Sequence, residues 1–178
     1  MNIRQAAAED AYGIAHAHLE AWHQAYKNII DEQTLAQMKL DHRIKMWEES
    51  LRNPQPDKPI YVAQDTDGSI VGFASGGPSR KPDSKCQGEL YAIYLLKDFH
   101  GNKTGTRLFH HIAADLHGKG MNSLLAWVLI KNPSLAFYKK LGGAEFERGT
   151  YAIGGQVLEN VAMGWPDIRD LLERLKDN

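Results

Sequence analysis

The chain has 178 residues, 21 Lys and Arg against 22 Asp and Glu for a formal net charge of −1, and one cysteine. That length suits a single domain, residues 1–178, with a substantial core, and the balanced charge excludes the clustered basic excess of a nucleic-acid surface. A lone Cys86 forms no intramolecular disulfide and no cysteine-rich zinc site, and no run approaches the roughly 18 apolar residues of a membrane helix, so a reducing cytoplasm is the expected location.

Asn2 to Ala6 is predicted to form a short first strand. Ala11, Ile14, Ala15, His18, Ala21, Trp22 and Ala25 then recur at helical spacing, and Leu35, Met38, Leu40, Ile44, Trp47 and Leu51 predict a second helical region. That region ends at Asn53-Pro54, because proline disfavours helical geometry in the residue before it. Ile60–Gln64 and Ser69–Ala74 flank Asp65-Thr66-Asp67-Gly68, whose Asp-Gly pair favours a tight hairpin; the later acidic ligands of a calcium loop are missing. Gly76, Gly77, Pro78 and Pro82 read as an exposed, mobile connection.

Leu90 to Leu96 is apolar on both faces and suits a central strand. After the Lys97-Asp98-Phe99 turn come Gly101 and Gly105, then Leu108, Ile112 and Leu116 at a spacing of four, so the order is strand, glycine loop, helix. The first N–H groups of a helix lack internal partners and the helix dipole is positive there, which makes this end a phosphate site. Lys103, Arg107 and His100 add charge, and a diphosphate is the natural guest. A Walker A loop needs four residues between its glycines, whereas three stand between Gly101 and Gly105; the GxGxxG dinucleotide fingerprint also fails.

Leu124 to Ile130 fits a buried parallel strand beside the Leu90 strand, followed by a helix capped by Asn132, with Pro133 in its first turn and Leu141-Gly142-Gly143 as its stop. Glu145–Ile153 and Val157–Trp165 suit a closing hairpin, and Asp167–Lys176 a terminal helix. His110 and His111 are adjacent and so do not share a metal as an i, i+4 pair would. From these patterns alone the chain is an α/β domain with an anion-binding helix end, and a nucleotide-like ligand stays open.

His100-Gly101-Asn102-Lys103-Thr104-Gly105 resembles the acetyl-CoA loop of the GCN5-related N-acetyltransferase (GNAT) superfamily, Gln/Arg-x-x-Gly-x-Gly/Ala between a strand and a helix. His100 stands where the family has Gln or Arg, and Lys103 where it has its first glycine. Trp127-Val128-Leu129 followed by Asn132, Ala136, Phe137-Tyr138 and Gly142 is similar to a second family segment, with Gly143 in place of its usual Phe. Trp22 to Tyr26, then Arg43 and Trp47, resemble the family's Trp-x-x-Ala-Tyr and Arg-x-x-x-Trp features.

The resemblance implies a mixed, mostly antiparallel α/β sheet with a central splayed parallel strand pair and flanking helices. It implies an N-acetyltransferase that moves the acetyl group of acetyl-CoA to a primary amine of a small molecule or peptide by direct attack in a ternary complex, with no metal. Backbone groups of Tyr94, Leu95 and Leu96 would run along the pantetheine arm, with an oxyanion donor among them. His100, Gly101, Asn102, Lys103, Thr104, Gly105 and Thr106 would hold the diphosphate, and Asn132 and Tyr138 would complete the cofactor site. Tyr138 is the expected acid for the departing thiolate, and Glu89 the expected base, acting through water, with Tyr91 second. Trp22, Tyr26, Glu89 and Tyr91 would wall the acceptor pocket, Trp22, Tyr26 and Trp47 having core packing as their alternative role. Protein N-terminal or lysine acetylation and a non-catalytic acyl-CoA sensor are alternatives, and Tyr138 argues against the sensor. The acceptor is not legible, and a homodimer stays open.

Overall fold

In the computed structural model, which describes residues 1–81 and 84–177, the apolar run that begins at Leu90 is a central strand with helices on both sheet faces. The elements are β1 (Asn2–Gln5), α1 (Ala11–Tyr26), α2 (Glu32–Gln37), α3 (Leu40–Arg52), β2 (Ile60–Gln64), β3 (Ile70–Pro78), β4 (Gly88–Leu95), α4 (Thr104–Gly118), β5 (Leu124–Leu129), α5 (Leu135–Lys140), β6 (Ala144–Ile153), β7 (Gln156–Trp165) and α6 (Ile168–Asp177). The 7-stranded sheet has the order β1-β2-β3-β4-β5-β7-β6. Only β4 and β5 pair in parallel, joined through α4 as a parallel pair requires.

On one face α4 buries Leu108, Phe109, Ile112, Ala113 and Leu116 completely, and Ile168 and Leu171 of α6 close over them. On the other, Ile14 and Ala15 of α1 and Trp47 of α3 pack on Val62 and Phe73 of β2 and β3. Each of the larger of these side chains contributes about 1.5–3 kcal/mol on burial, which fixes α1, α3 and α4 against the strands that carry the site. Among the described residues no helix is long and apolar enough to cross a membrane.

Three expectations need correction. Gly76, Gly77 and Pro78 are not an exposed connection: they finish β3, paired with Leu90, Glu89 and Gly88 of β4. Both glycines are buried, because a Cβ on Gly76 would lie 2.7 Å from Ile112 of α4 and one on Gly77 would lie 2.5 Å from the Tyr91 hydroxyl. Pro82 lies outside the described residues. The second helical region is two helices, broken where Met38 and Lys39 turn extended; Asp31 caps α2 by accepting the Thr34 N–H at 2.8 Å. Asn132 and Pro133 precede α5 rather than enter it, with Asn132 Oδ1 accepting the Ser134 N–H at 2.9 Å to shape the turn into the helix.

Of the side chains weighed for chemistry, Asp65 takes the N–H groups of Asp67 and Ser69 and closes the β2–β3 turn. Cys86 is buried, which pushes its thiol pKa up and leaves little of the reactive thiolate. His111 stacks on Tyr61.

His18 of α1 is buried among Trp47, Phe73 and Tyr94, and its Nδ1 accepts the Trp47 indole N–H at 3.2 Å. Burial, and secondarily the charge of Arg43, lowers its pKa from 6.5 to about 3. The folded protein therefore keeps the ring neutral at pH values where the unfolded chain takes up a proton. The stability contributed is complete above pH 6.5 and is lost as pH falls toward about 3, at about 1.4 kcal/mol per pH unit. Urea unfolding across that interval should show this slope, and His18→Gln, which keeps an acceptor for Trp47 but does not titrate, should flatten it.

Candidate active site

β4 and β5 pair only at Gly88 with Leu124, Glu89 with Leu125 and Leu90 with Ala126. Beyond Leu90, β4 stays on β3 as far as Leu95 and β5 stays on β7 as far as Leu129, so a gap opens between them. The β3–β4 register slips at Tyr91, between the Ser75–Ala92 and Gly76–Leu90 pairs, a bulge that bends β4 as the parting begins. The Leu96 N–H donates to the Val71 carbonyl at 2.9 Å. Backbone direction alternates along an antiparallel strand, so Tyr94 and Leu96 turn their groups to β3 while Leu95 turns its own to the gap. The Leu95 carbonyl meets the His100 ring Nε2 at 2.9 Å, which leaves the Leu95 N–H facing the parting.

The loop that follows is a cradle of donors. Gly101 has φ +82° and Lys103 φ +57°, so Lys103 adopts the left-handed conformation that a glycine would take at no steric cost. Among the described residues none of the backbone N–H groups from Gly101 to Thr106 has a protein acceptor, and the buried Thr104 Oγ1 has no partner. A Cβ on Gly101 would touch nothing within 4 Å and one on Gly105 would only graze the Phe137 ring at 3.8 Å. Protein packing does not require a bare Gly105, and the open space leaves room for a ligand to approach the backbone closely. These residues fit a diphosphate, with Lys103 and Asn102 exposed at its rim and Thr106 buried beneath.

A cavity of about 810 Å³ opens at the parting, between the ends of α1 and α3, the splayed strands and the β6–β7 hairpin. The hairpin turn is seated on α2: the Gln156 side chain accepts the Asp31 N–H at 3.0 Å, and Gly154 lies against Thr34. Trp22 and Tyr26 line the cavity, with ring centroids 4.8 Å apart, while Trp47 is core. The Tyr26 and Tyr94 hydroxyls are 3.4 Å apart. Tyr138 of α5 is buried beside Phe109 and Trp165. Burial, and then the neighbouring Tyr26, raises its pKa, so the phenol keeps its proton throughout the neutral range.

Glu89 is 1% exposed and is held by Arg80. Oε2 accepts the Arg80 backbone N–H at 2.9 Å, and Oε1 accepts the guanidinium Nε at 3.0 Å and Nη2 at 2.5 Å. A carboxylate has about four lone-pair positions, so one remains after these three donors. Tyr91 donates to the Pro78 carbonyl at 2.6 Å and lies under the Arg80 guanidinium, 4.8 Å from its ring centre. It braces the Arg80–Glu89 pair, and burial raises its pKa.

Arg43, met in the sequence only through its spacing from Trp47, and Arg80, Tyr151 and Asn160, which sequence reading passed over, also face the cavity. They come from a loop, α3, β6 and β7, and no local spacing relates them; the one available signal was Arg43 one helical turn before Trp47.

The sequence and the fold are matched by known proteins. The sequence profile of the acetyltransferase (GNAT) family matches residues 17–143. The chain belongs to this family. It is therefore an acyltransferase. YuaI of Bacillus subtilis (strain 168), named as an uncharacterized N-acetyltransferase, is 34% identical over 171 residues, covering 96% of each chain. The PaiA N-acetyltransferase of Thermoplasma acidophilum, solved with coenzyme A, superposes with a TM-score of 0.66 at 20% identity, over 89% of this chain and 96% of that one. YncA of Salmonella typhimurium, solved with acetyl-CoA, gives 0.68 at 20% identity, over 93% and 92%.

The cradle can be tested without the reaction. Inorganic pyrophosphate should raise the melting temperature of the protein, by about 2.7 kcal/mol of added stability at a hundred times its Kd. Gly105→Asp should abolish that shift while leaving the ligand-free melting temperature nearly unchanged, since the space at Gly105 is open and the added carboxylate meets the anion.

Proposed function

We propose that this GNAT enzyme transfers the acetyl group of acetyl-CoA to a primary amine of a small acceptor, by direct attack while both are bound. The observation that carries the reading is the β4–β5 parting, which has the donor-rich Gly101–Thr106 loop at its end and the 810 Å³ cavity along it. Complexes of PaiA with coenzyme A and of YncA with acetyl-CoA support the cofactor, as do the orphaned Thr104 hydroxyl and the open space at Gly105. The hairpin lid seated on α2 favours a small molecule over a protein side chain.

Acetyl-CoA supplies a thioester carbonyl. The loop N–H groups of Gly101 to Thr106 hold the diphosphate, and Asn132 shapes the turn into α5, which carries Tyr138. Leu95 N–H, rather than that of Tyr94 or Leu96, donates to the carbonyl oxygen as negative charge develops there, the kind of preorganised donor that counts most in a water-poor site. The acceptor amine must arrive without its proton, since an alkyl ammonium with pKa near ~10.4 has no lone pair. The remaining lone pair of Glu89 takes that proton through a water, and Arg80 keeps the carboxylate oriented. As the nitrogen–acetyl bond forms and the acetyl–sulfur bond breaks, Tyr138 gives its proton to the sulfur, and the second proton, which the nitrogen sheds on becoming an amide, returns to the phenolate, so that the products are the amide, the free thiol and a restored Tyr138. A pure acyl-CoA sensor has no need of a buried phenol and a buried carboxylate on either side of the parting.

Tyr138→Phe should bind acetyl-CoA nearly as well as the parent and turn over roughly 10²-fold more slowly, the size of a lost general acid. Free CoA release measures the rate and calorimetry the affinity; full activity in the folded variant sinks the acid role. Glu89→Gln should likewise lower turnover by about 10² with CoA affinity retained. Equal cofactor affinity with undiminished turnover would remove Glu89 from the proton path. Mass spectrometry of the acceptor in an amine screen identifies what is acetylated.

A further inference from the structure

The charges on the cavity wall do not balance. Arg43, Arg80 and Lys81 face Glu89 and Glu147. Arg80 is paired with Glu89, and Lys81 with Glu147. Both carboxylates are thus committed, and among the described residues Arg43 has no acidic partner.

What Arg43 has instead is sulfur. Nη2 donates to the Met38 thioether at 3.2 Å and Nη1 to that of Met46 at 3.7 Å, while the buried Nε has no acceptor among the described residues. A thioether is a weak acceptor, and a half-buried guanidinium supplied only with such partners is short of the hydrogen bonds its desolvated charge requires. Tyr94 and Tyr151 lie within its field, but neither is a carboxylate that could pair with it. From the β7 wall, Asn160 Oδ1 is likewise buried with no donor. Asn160 pairs with Leu129, on the β5 side of the parting where an amine must arrive.

One class of ligand satisfies both orphaned groups. We propose that the acceptor is a small molecule of amino-acid type, a primary amine that also carries a carboxylate or an equivalent oxyanion, with Arg43 binding the anion and Asn160 accepting an N–H of the amine. The inference rests on the acetyl-transfer reading of the cavity and narrows its acceptor. Polycationic amines do not suit this wall, because each carboxylate is neutralised and the remaining charge is positive. Arginine's planar fork matches a carboxylate or phosphonate with two parallel bonds, which a lysine does not do.

Two measurements test it. Calorimetric titration of small carboxylates that lack an amine, from acetate to phenylpropionate, and of their carboxamides, into CoA-saturated protein involves no reaction. The best carboxylate should bind about 10- to 100-fold more tightly than its amide, the effect of one charge-assisted contact. Arg43→Met should erase that ratio and Arg43→Lys should keep part of it, since the charge remains without the fork. Arg43→Met removes an unsatisfied charge, so a melting temperature at or above the parent's is expected; if it fails to fold, Arg43→Lys carries the comparison. A ratio near one in the parent, or a ratio untouched in a folded Arg43→Met, overturns the proposal.

In the second, CoA release is followed with the common amino acids. The best acceptor is then compared with its carboxamide, its decarboxylated amine and the matching aminophosphonate. The parent should favour the carboxylate or phosphonate in kcat/KM by about 10-fold or more, chiefly through KM. Arg43→Met should collapse that preference. A parent preference for the uncharged or polycationic amines overturns the proposal. No transfer to any amine would sink the acetyl-transfer reading, and the calorimetric ratio would still decide the anion subsite.

Discussion

The parting of β4 from β5 is the constraint on which the rest of the molecule depends. A strand edge in the middle of a sheet leaves N–H and carbonyl groups that burial makes costly unless something pairs with them. Here β3 holds β4 through Leu95 and β7 holds β5 through Leu129, so the two cannot close on each other. The Tyr91 bulge starts the divergence, and the hydroxyl of the same residue ties its tip to Pro78. What remains is a slot whose backbone groups await an extended guest, as in strand addition. Leu95 is the residue whose direction makes this concrete, its carbonyl held by His100 and its N–H turned inward.

Everything chemical is hung on the two sides of that slot. Helices α4 and α5 sit on one sheet face, fixed by a core that includes Phe109, Leu141 and Trp165, and they carry the donor-rich Gly101–Thr106 loop and Tyr138. Helices α1 and α3 sit on the other and carry Trp22, Tyr26 and Arg43. In the proposed reading, cofactor and acceptor would approach through different walls and meet only at the gap, which suits a direct transfer. The charge pattern follows the same division. Glu89 is the buried carboxylate at the last paired position of β4 but one, and Arg80, 61% exposed, reaches over it from the β3–β4 connection. Arg43 is left with sulfur for company.

His100 and Lys103 show how a motif can change letters and keep its geometry. Lys103 holds the positive φ that the family's glycine takes freely, at a cost of roughly 1–2 kcal/mol. Its side chain points to solvent at the mouth of the cradle, where a charge can still reach a phosphate. His100 replaces Gln or Arg and spends a ring nitrogen on the Leu95 carbonyl, closing the turn between strand and loop.

The strands, the glycine loop and the helix after it were legible in the sequence because each rests on neighbours in the chain: the both-sided apolar run at Leu90, the Gly101–Gly105 spacing, the four-residue repeat of Leu108, Ile112 and Leu116. The Phe137-Tyr138 pair was legible only by likeness to a family. Gly76, Gly77 and Pro78 were misread, since glycine and proline mark a loop locally, and only the contact with Ile112 and Tyr91 explains bare backbone in a buried strand. The break at Met38 was hidden because apolar residues continue across it at nearly helical spacing. The partnership of Arg80 with Glu89, the isolation of Arg43 and the orphaned Asn160 were decided by tertiary structure alone. Pairing is a matter of distance in space, and a sequence that lists three cations and two carboxylates does not say which cation goes without.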